Sequence, residues 1–295
     1  MPRAAEARRR TARLMTSPPR GPGWSYQHWE RQWPPLAASL LRAAEDTGAV
    51  LTVMGNLYGY GPVDGQITRD LPLSAPGHMG RLRARMWQEA LAAHQAGRIR
   101  ATEVRASDYM GVLSPWNGML VLYADSARRG RPVFSFGDPD VPHSFSYVPD
   151  VAATLAAVAT DERAWGQAWH VPSPPAVTVR SALTDVAEVA GARRPRIVRI
   201  PRGLLRLSYP FVPLMRELDE LLYQWDRPYV LDASETTQTF GIEATPWGEV
   251  VERTVGGLER AGKRAATPAL FPSPGDHPRP ARYAQLWAVG LPYVI

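Results

Sequence analysis

The sequence predicts an α/β fold in which helices cover a parallel β-sheet. Helices and short strands alternate between residues 33 and 106. The strands are apolar on both faces, which is typical of buried parallel sheets. Of the 295 residues, 45% are hydrophobic and 21% are charged, as in globular proteins. No apolar run approaches the roughly 18 residues that are needed to cross a bilayer, so a membrane-spanning protein is excluded.

The first elements establish this alternating order. Pro34 and Pro35 predict the start of a helix that Gly48 is placed to end. A strand, a loop rich in Gly and Tyr, a second helix and a second strand follow over residues 49–54, 55–76, 80–96 and 99–106. A helix–strand–loop–helix–strand order predicts a parallel sheet with helical crossovers.

The later elements repeat the pattern less regularly. Asp150 is expected to cap a helix that runs to about residue 160, and Thr178 to cap a helix that closes at Gly191. The prolines at 210 and 213 predict that the helical segment 203–225 is kinked or divided into two helices. Two more strands are expected over 167–171 and 196–200, and a last helix from Thr245-Pro246.

The net charge of +6 belongs to the two ends of the chain. Residues 1–24 carry +5 and residues 256–295 carry +3, so the 231 residues between them sum to −2. Because the body has no basic face, nucleic acid is not an expected partner. Residues 1–24 are predicted to be a disordered basic arm and residues 256–295 a proline-rich tail. The arm has no apolar segment for a signal peptide, so a cytoplasmic protein is expected.

The composition also limits the chemistry. The chain has no cysteine, which excludes disulfides, thiolate nucleophiles and cysteine metal sites. Its six histidines lack ligand spacing, so no metal site is predicted. Of the 34 basic residues, only Lys263 is a lysine.

Four segments carry a resemblance to a known family. They are residues 55–62 (GNLYGYGP), 105–111 (RASDYMG), 145–152 (FSYVPDVA) and 169–172 (WHVP). In their order and spacing, over about residues 27–255, the chain resembles the NAD-dependent epimerase/dehydratase family of extended and atypical short-chain dehydrogenases/reductases. The resemblance implies an incomplete Rossmann-like, doubly wound parallel sheet. It assigns residues 25–172 to a partial NAD(P)-binding domain and residues 173–255 to a smaller C-terminal substrate subdomain.

The resemblance also implies a site, a cofactor and a substrate. NAD or NADP would be the cofactor, and a nucleotide sugar or similar small polar molecule the substrate. The catalytic candidates are Asn56, Tyr58, Tyr60 and Arg83, and the cofactor-binding candidates are Gly55, Arg83, Arg105 and Tyr109.

The chain departs from the family at two motifs. None of its 24 glycines forms the G-x-G-x-x-G turn, in which backbone amides at a helix N-terminus approach a pyrophosphate. The Tyr-x-x-x-Lys pair is absent too, since Met79 takes the tyrosine position and Arg83 the lysine position. These departures predict a truncated or frameshifted family member without its N-terminal nucleotide-binding unit. A sheet edge left unpaired by that loss would favour a homodimer.

Two interpretations stay open for the polar residues near the strand ends. Tyr58, Tyr60 or Tyr109 could have a pKa lowered by Arg83 or Arg105, or could pack its ring and leave its hydroxyl in water. Asp108 could be a general base, although an aspartate at a loop end more often caps a turn. His143 could face the cleft, but a surface loop is the favoured reading. The tryptophans at 24, 29, 33, 165 and 169 are expected to pack rather than to stack on a cofactor.

Three functions remain open from the sequence. The first is an epimerase/dehydratase-like protein with impaired or no classical catalysis. The second is a non-catalytic binding or regulatory protein on the same fold, and the third is a non-functional truncated product. The first is the leading prediction, and folding behaviour would separate the other two.

Overall fold

A computed structural model describes residues 26–111, 118–212 and 214–266. The predicted arm at residues 1–24 therefore lies outside the described residues, and so does the tail beyond residue 266. Among the described residues, none of the helices is both long enough and apolar enough to cross a membrane.

The strands are short. They are β1 (Val50–Asn56), β2 (Gln66–Ile67), β3 (Arg100–Ala106), β4 (Asp108–Met110), β5 (Val133–Ser135), β6 (Pro142–His143), β7 (Phe145–Tyr147), β8 (Ala168–His170), β9 (Val177–Thr178), β10 (Ile197–Arg199) and β11 (Val230–Leu231).

The α-helices account for nearly half of the described residues. They are α1 (Trp29–Thr47), α2 (His78–Gln95), α3 (Met119–Ala127), α4 (Val148–Thr160), α5 (Val179–Val189), α6 (Arg202–Leu207), α7 (Leu214–Leu221), α8 (Tyr223–Asp226), α9 (Ser234–Phe240) and α10 (Trp247–Ala266).

The predicted parallel sheet is confirmed. Its three strands are arranged in the order β1-β3-β8, and all seven residues of β1 pair with β3. Each connection passes through a helical crossover, as parallel pairing requires. None of the other described strands pairs with the outer edge of β1.

Helices cover both faces of this sheet, which is the doubly wound arrangement. On one face, Leu51 and Ala101 pack with Trp87 and Ala90 of α2 and with Ala44 of α1. On the other face, apolar residues of β3 and β8 pack with α4. The alternation follows from the two-residue period of a strand, which sends successive side chains to opposite faces.

A second group of elements packs beside the sheet. Strand β5 pairs in parallel with β10, and α3, α5 and α10 bury their apolar faces together. Thr178 caps α5 as predicted, in a reciprocal capping box with Ser181. Helix α10 extends past residue 255, where the sequence placed the end of the C-terminal subdomain.

Three predicted element boundaries differ from the structure. Helix α1 begins at Trp29, so Pro34 and Pro35 lie in its interior rather than at its start. Asp150 does not cap α4: it lies in the first turn, and its carboxylate accepts from the backbone and hydroxyl of Thr245 at 2.9 and 2.7 Å. The segment 203–225 is divided, as predicted, but into α6, α7 and α8 rather than two helices.

Candidate functional site

A cavity of about 360 Å³ lies beside the carboxyl ends of β1 and β3. It follows the outer edge of β1 and is bounded by α1, α2 and α4. In open α/β sheets, ligands bind at the carboxyl ends of the strands. The position of this cavity is therefore set by the topology and not by one residue.

Five of the residues predicted from the sequence line this cavity: Gly55, Asn56, Tyr58, Arg83 and Tyr109. Gly55 and Asn56 end β1, and Tyr58 follows in a single 3-10 turn. Asn56 holds that turn, because its side-chain oxygen accepts from the backbone N–H of Tyr58 at 3.2 Å.

Tyr58 and Tyr109 are buried phenols whose pKa values are raised. Burial raises the pKa of Tyr58 well above its usual value, and the Tyr58 hydroxyl lies 3.2 Å from the Tyr26 hydroxyl. Burial also raises the pKa of Tyr109 to about 12, although the charge of Arg83 opposes the shift. The possibility of a pKa lowered by a neighbouring arginine is therefore wrong for both. Near neutral pH they are hydrogen-bond donors and not bases.

Tyr60 and Arg105 belong to a buried network beside the cavity rather than to its lining. Arg105 Nε donates to Glu103 Oε2 at 2.6 Å, and Arg105 Nη1 donates to the Tyr60 hydroxyl, also at 2.6 Å. Tyr60 donates in turn to His170 Nε2 at 2.7 Å. Burial raises the pKa of Tyr60 despite Arg105, so no lowered pKa is found here either.

Asp108 and His143 form a second polar pair, and Asp108 reaches the cavity. His143 Nε2 lies 2.7 Å from Asp108 Oδ2, and His143 Nδ1 lies 3.1 Å from the Gln224 carbonyl oxygen. A carbonyl only accepts, so Nδ1 donates to it, and Nε2 faces the Asp108 carboxylate.

The favoured reading of His143 as a surface histidine is wrong, since its side chain is fully buried and its ring stacks on Trp225 at 4.1 Å. Asp108 likewise bonds to a distant histidine rather than capping a turn. The chain-distant partner explains the error, because 35 residues separate the two and no local pattern marks the pair.

Two further hydroxyl groups at the cavity were missed by the sequence reasoning. Ser107 Oγ and the Tyr229 hydroxyl are buried and have no hydrogen-bond partner among the described residues. Ser107 follows β3 directly, and the strand-end rule could have found it. Nothing local marks Tyr229, which comes from a segment more than 100 residues away.

Met79 and Arg83, to which the resemblance assigns the positions of the Tyr-x-x-x-Lys pair, make other contacts. Met79 is fully buried in the core. The guanidinium of Arg83 lies 5.0 Å from the ring centroid of Trp33, and Arg83 Nη2 donates to the Met54 carbonyl oxygen at 2.5 Å. Methionine has no proton to transfer, and arginine stays protonated.

One cluster has the residue types of a metal site. His78 Nδ1 lies 2.5 Å from Glu220 Oε2, and His78 Nε2 lies 3.1 Å from Glu217 Oε2. Glu220 also accepts from the backbone N–H of Met79 at 3.0 Å, so it caps the first turn of α2. The contacts among these groups are those of a capping interaction, and no metal is assigned to them.

Comparison with known proteins places the fold. No family model matches the chain, and no curated protein matches it. Solved structures do match. The dTDP-glucose 4,6-dehydratase of Bacillus anthracis, in complex with NAD, is 16% identical with a TM-score of 0.62, over 77% of this chain and 67% of that one. The UDP-glucuronic acid 4-epimerase of Bacillus cereus, in complex with NAD, is 13% identical with a TM-score of 0.64, over 81% and 72%.

A third structure extends the likeness to an NADPH complex. RMD of Pseudomonas aeruginosa, complexed with NADPH, is 14% identical with a TM-score of 0.64, over 82% of this chain and 79% of that one. The chain therefore has the Rossmann-like fold of the NAD-dependent epimerases and dehydratases, as the sequence predicted. It spans about two thirds of the length of the dehydratase it matches.

The described residues do not fit a whole dinucleotide. Packing against Glu103 accounts for a glycine at position 55, because a Cβ atom added to Gly55 would lie 2.5 Å from Glu103 Oε1. Arg105 is occupied by Glu103 and Tyr60, and no glycine-rich turn precedes a described helix. A volume of about 360 Å³ lies near the lower end of the range for ligand pockets, about 300–1,000 Å³. That volume is small for a molecule with two nucleosides.

Proposed function

We propose that this protein binds a small polar molecule, such as a nucleotide sugar or a part of one, without the hydride-transfer chemistry of its structural neighbours. The ligand occupies the cavity at the carboxyl ends of β1 and β3. Asn56, Tyr58, Arg83 and Tyr109 contact it, together with the Asp108 carboxylate. In more general terms, we propose an epimerase/dehydratase-like protein with impaired or no classical catalysis.

The main support for the proposal is that positions 79 and 83 hold a methionine and an arginine. Classical catalysis needs a phenol whose proton leaves near neutral pH and an ammonium group that promotes this. Met79 cannot transfer a proton, and Arg83 is held against Trp33 and the Met54 carbonyl. The neighbouring phenols have raised pKa values, which makes them poor bases.

Unpartnered hydroxyl groups favour binding over a purely structural cavity. A buried hydroxyl without a hydrogen bond costs about 1–3 kcal/mol. Ser107 and Tyr229 both leave such a group beside the cavity. A polar ligand would supply their missing partners.

Titration with nucleotides and nucleotide sugars tests the proposal. NADH and NADPH, followed by nicotinamide fluorescence, should show no micromolar binding. UDP-glucose and dTDP-glucose, followed by isothermal titration calorimetry, should bind with no turnover. Micromolar binding of NADH or NADPH, or hydride transfer at ordinary enzymatic rates, would contradict the proposal.

We propose a homodimer as well. The outer edge of β1 carries seven residues without a charge or a proline, and such an edge is a template for pairing with another strand. A second copy that paired there would extend the sheet, and it would compete with the ligand for the edge that the cavity follows.

A further inference from the structure

We infer that the cavity is an anion site, in which Arg83 anchors a carboxylate or phosphate group on a molecule with one apolar or aromatic ring. This inference rests on the proposed function, because it specifies the chemistry of the same ligand.

Arg83 is a buried cation that forms no ion pair with the residues that the structure describes. The residue is 8% exposed, and none of the ion pairs formed by the described residues includes it. Within the described part of the chain, its one hydrogen bond goes to the neutral carbonyl of Met54. Burial lowers the pKa of Arg83, as expected of a charge removed from water.

The carboxylates nearby are already committed to other groups. Glu103, which is close enough to raise the pKa of Arg83, pairs with Arg105 at 2.6 Å, and both of those side chains are 4% exposed. Asp108 pairs with His143 at 2.7 Å. Arg83, Glu103 and Arg105 together therefore carry one positive charge in excess.

A buried charge that lacks a partner is strongly unfavourable. A guanidinium presents five N–H donors in a planar fork, which matches the oxygen atoms of a carboxylate or phosphate. Arg83 uses one of these donors on Met54. An anionic ligand would use others and would neutralise the excess charge.

Two further donors line the same cavity. The Asn56 side chain accepts through its oxygen, and its NH₂ group makes no hydrogen bond with the described residues. Tyr109 keeps its proton near neutral pH because its pKa is about 12, and it feels the charge of Arg83. Arg83, Asn56 and Tyr109 thus supply donors from three different elements.

The remainder of the cavity lining is apolar and aromatic. Trp29 and Tyr58 stack at 6.4 Å between ring centroids, and Leu36 and Leu40 of α1 line the side along β1. Such a surface buries a ring or an aliphatic body rather than a free inorganic ion. The ligand class is therefore a small organic anion.

A matched set of probes tests the inference by isothermal titration calorimetry at constant ionic strength. Benzoate and phenyl phosphate carry the anion on the same ring as the neutral benzyl alcohol. Both anions should bind at least tenfold more tightly than the alcohol. Their relative affinities would separate a carboxylate from a phosphate preference.

Variants assign the preference to Arg83. Arg83→Gln should reduce the ratio between anion and alcohol affinities to about one, and Arg83→Lys should keep part of it. Arg85→Gln is the matched control, because Arg85 lies on the same helix with an exposed side chain paired to Glu30. Circular dichroism establishes whether each variant is folded. If Arg83→Gln does not fold, the ratio of anion to alcohol affinity in the wild type and in Arg83→Lys tests the inference.

The outcomes separate this inference from the proposed function. Equal binding of anions and alcohol would overturn the anion site and leave a ligand cavity standing. An unchanged preference in Arg83→Gln would also overturn it. If none of the three probes binds, the inference is overturned. The nucleotide-sugar titration would still test the proposed function.

Discussion

Lowering the pH should weaken the fold through His170. Its Nδ1 donates to the Asp232 carbonyl oxygen at 2.8 Å, and its Nε2 accepts from the Tyr60 hydroxyl at 2.7 Å, so the neutral ring satisfies both partners. Burial lowers the pKa of His170 from 6.5 to about 4. The unfolded chain takes up a proton below pH 6.5 that the folded protein resists. The contribution of His170 is therefore fully present above pH 6.5 and is lost as the pH falls through about 4.

The magnitude follows from the size of the pKa shift. Each pKa unit corresponds to about 1.4 kcal/mol, so the shift corresponds to a loss of about 3 kcal/mol in the free energy of unfolding. Urea denaturation of the wild type and of His170→Gln at several pH values from 7 to 4 measures it. The difference between the two proteins should change by about 3 kcal/mol across this range, because other titrating groups cancel. Parallel pH profiles would refute the assignment of a neutral, buried His170.

Two other predictions concern stability and assembly. Glu103→Gln should lower the free energy of unfolding by about 3–5 kcal/mol, because it leaves Arg105 buried without its carboxylate. Urea denaturation measures this change, and a loss below about 1 kcal/mol would contradict the buried ion pair. Thr52→Lys should convert a dimer into a monomer, because Thr52 lies on the outer edge of β1 and a charge on an edge strand opposes strand pairing. Light scattering coupled to size exclusion measures the mass, and a monomeric wild type would contradict the proposed dimer.

Much of the fold was predictable because its signals are local. The strand at residues 49–54 is apolar on both faces, and Gly48 ends the helix before it with a φ of 65°, which favours glycine. Thr178 is a capping residue with a matching partner three positions later. Local patterns of this kind depend on neighbours in the chain, which the sequence displays directly.

The helix starts were less predictable, because tertiary packing overrode local preference. Pro34 and Pro35 favour a helix start, yet α1 begins one turn earlier at Trp29. Trp29 packs against Tyr26 and Tyr58, with ring centroids 4.8 and 6.4 Å away. The burial of these rings stabilises a turn that the prolines by themselves would not extend.

The candidate site was also predictable only where its signals are local in the sequence. Residues near the end of β1 and on α2 could be selected because parallel strands bring their carboxyl ends to one edge. Arg105 was selected from the family resemblance, but its guanidinium pairs with Glu103 on the same strand and does not line the cavity. Partners that are distant in the chain, such as His143 for Asp108 and His170 for Tyr60, leave no periodic signal.

The resemblance assigns the positions of the catalytic tyrosine and lysine to Met79 and Arg83. Met79 has no transferable proton, and Arg83 carries a charge that is not lost near neutral pH. The phenols that remain hold their protons more tightly than free tyrosine does. Among the described lining residues, Asp108 supplies the carboxylate, and its Oδ2 lies 2.7 Å from His143 Nε2. The permanent cation and the neutral donors support the proposal that the cavity binds an anion without converting it chemically.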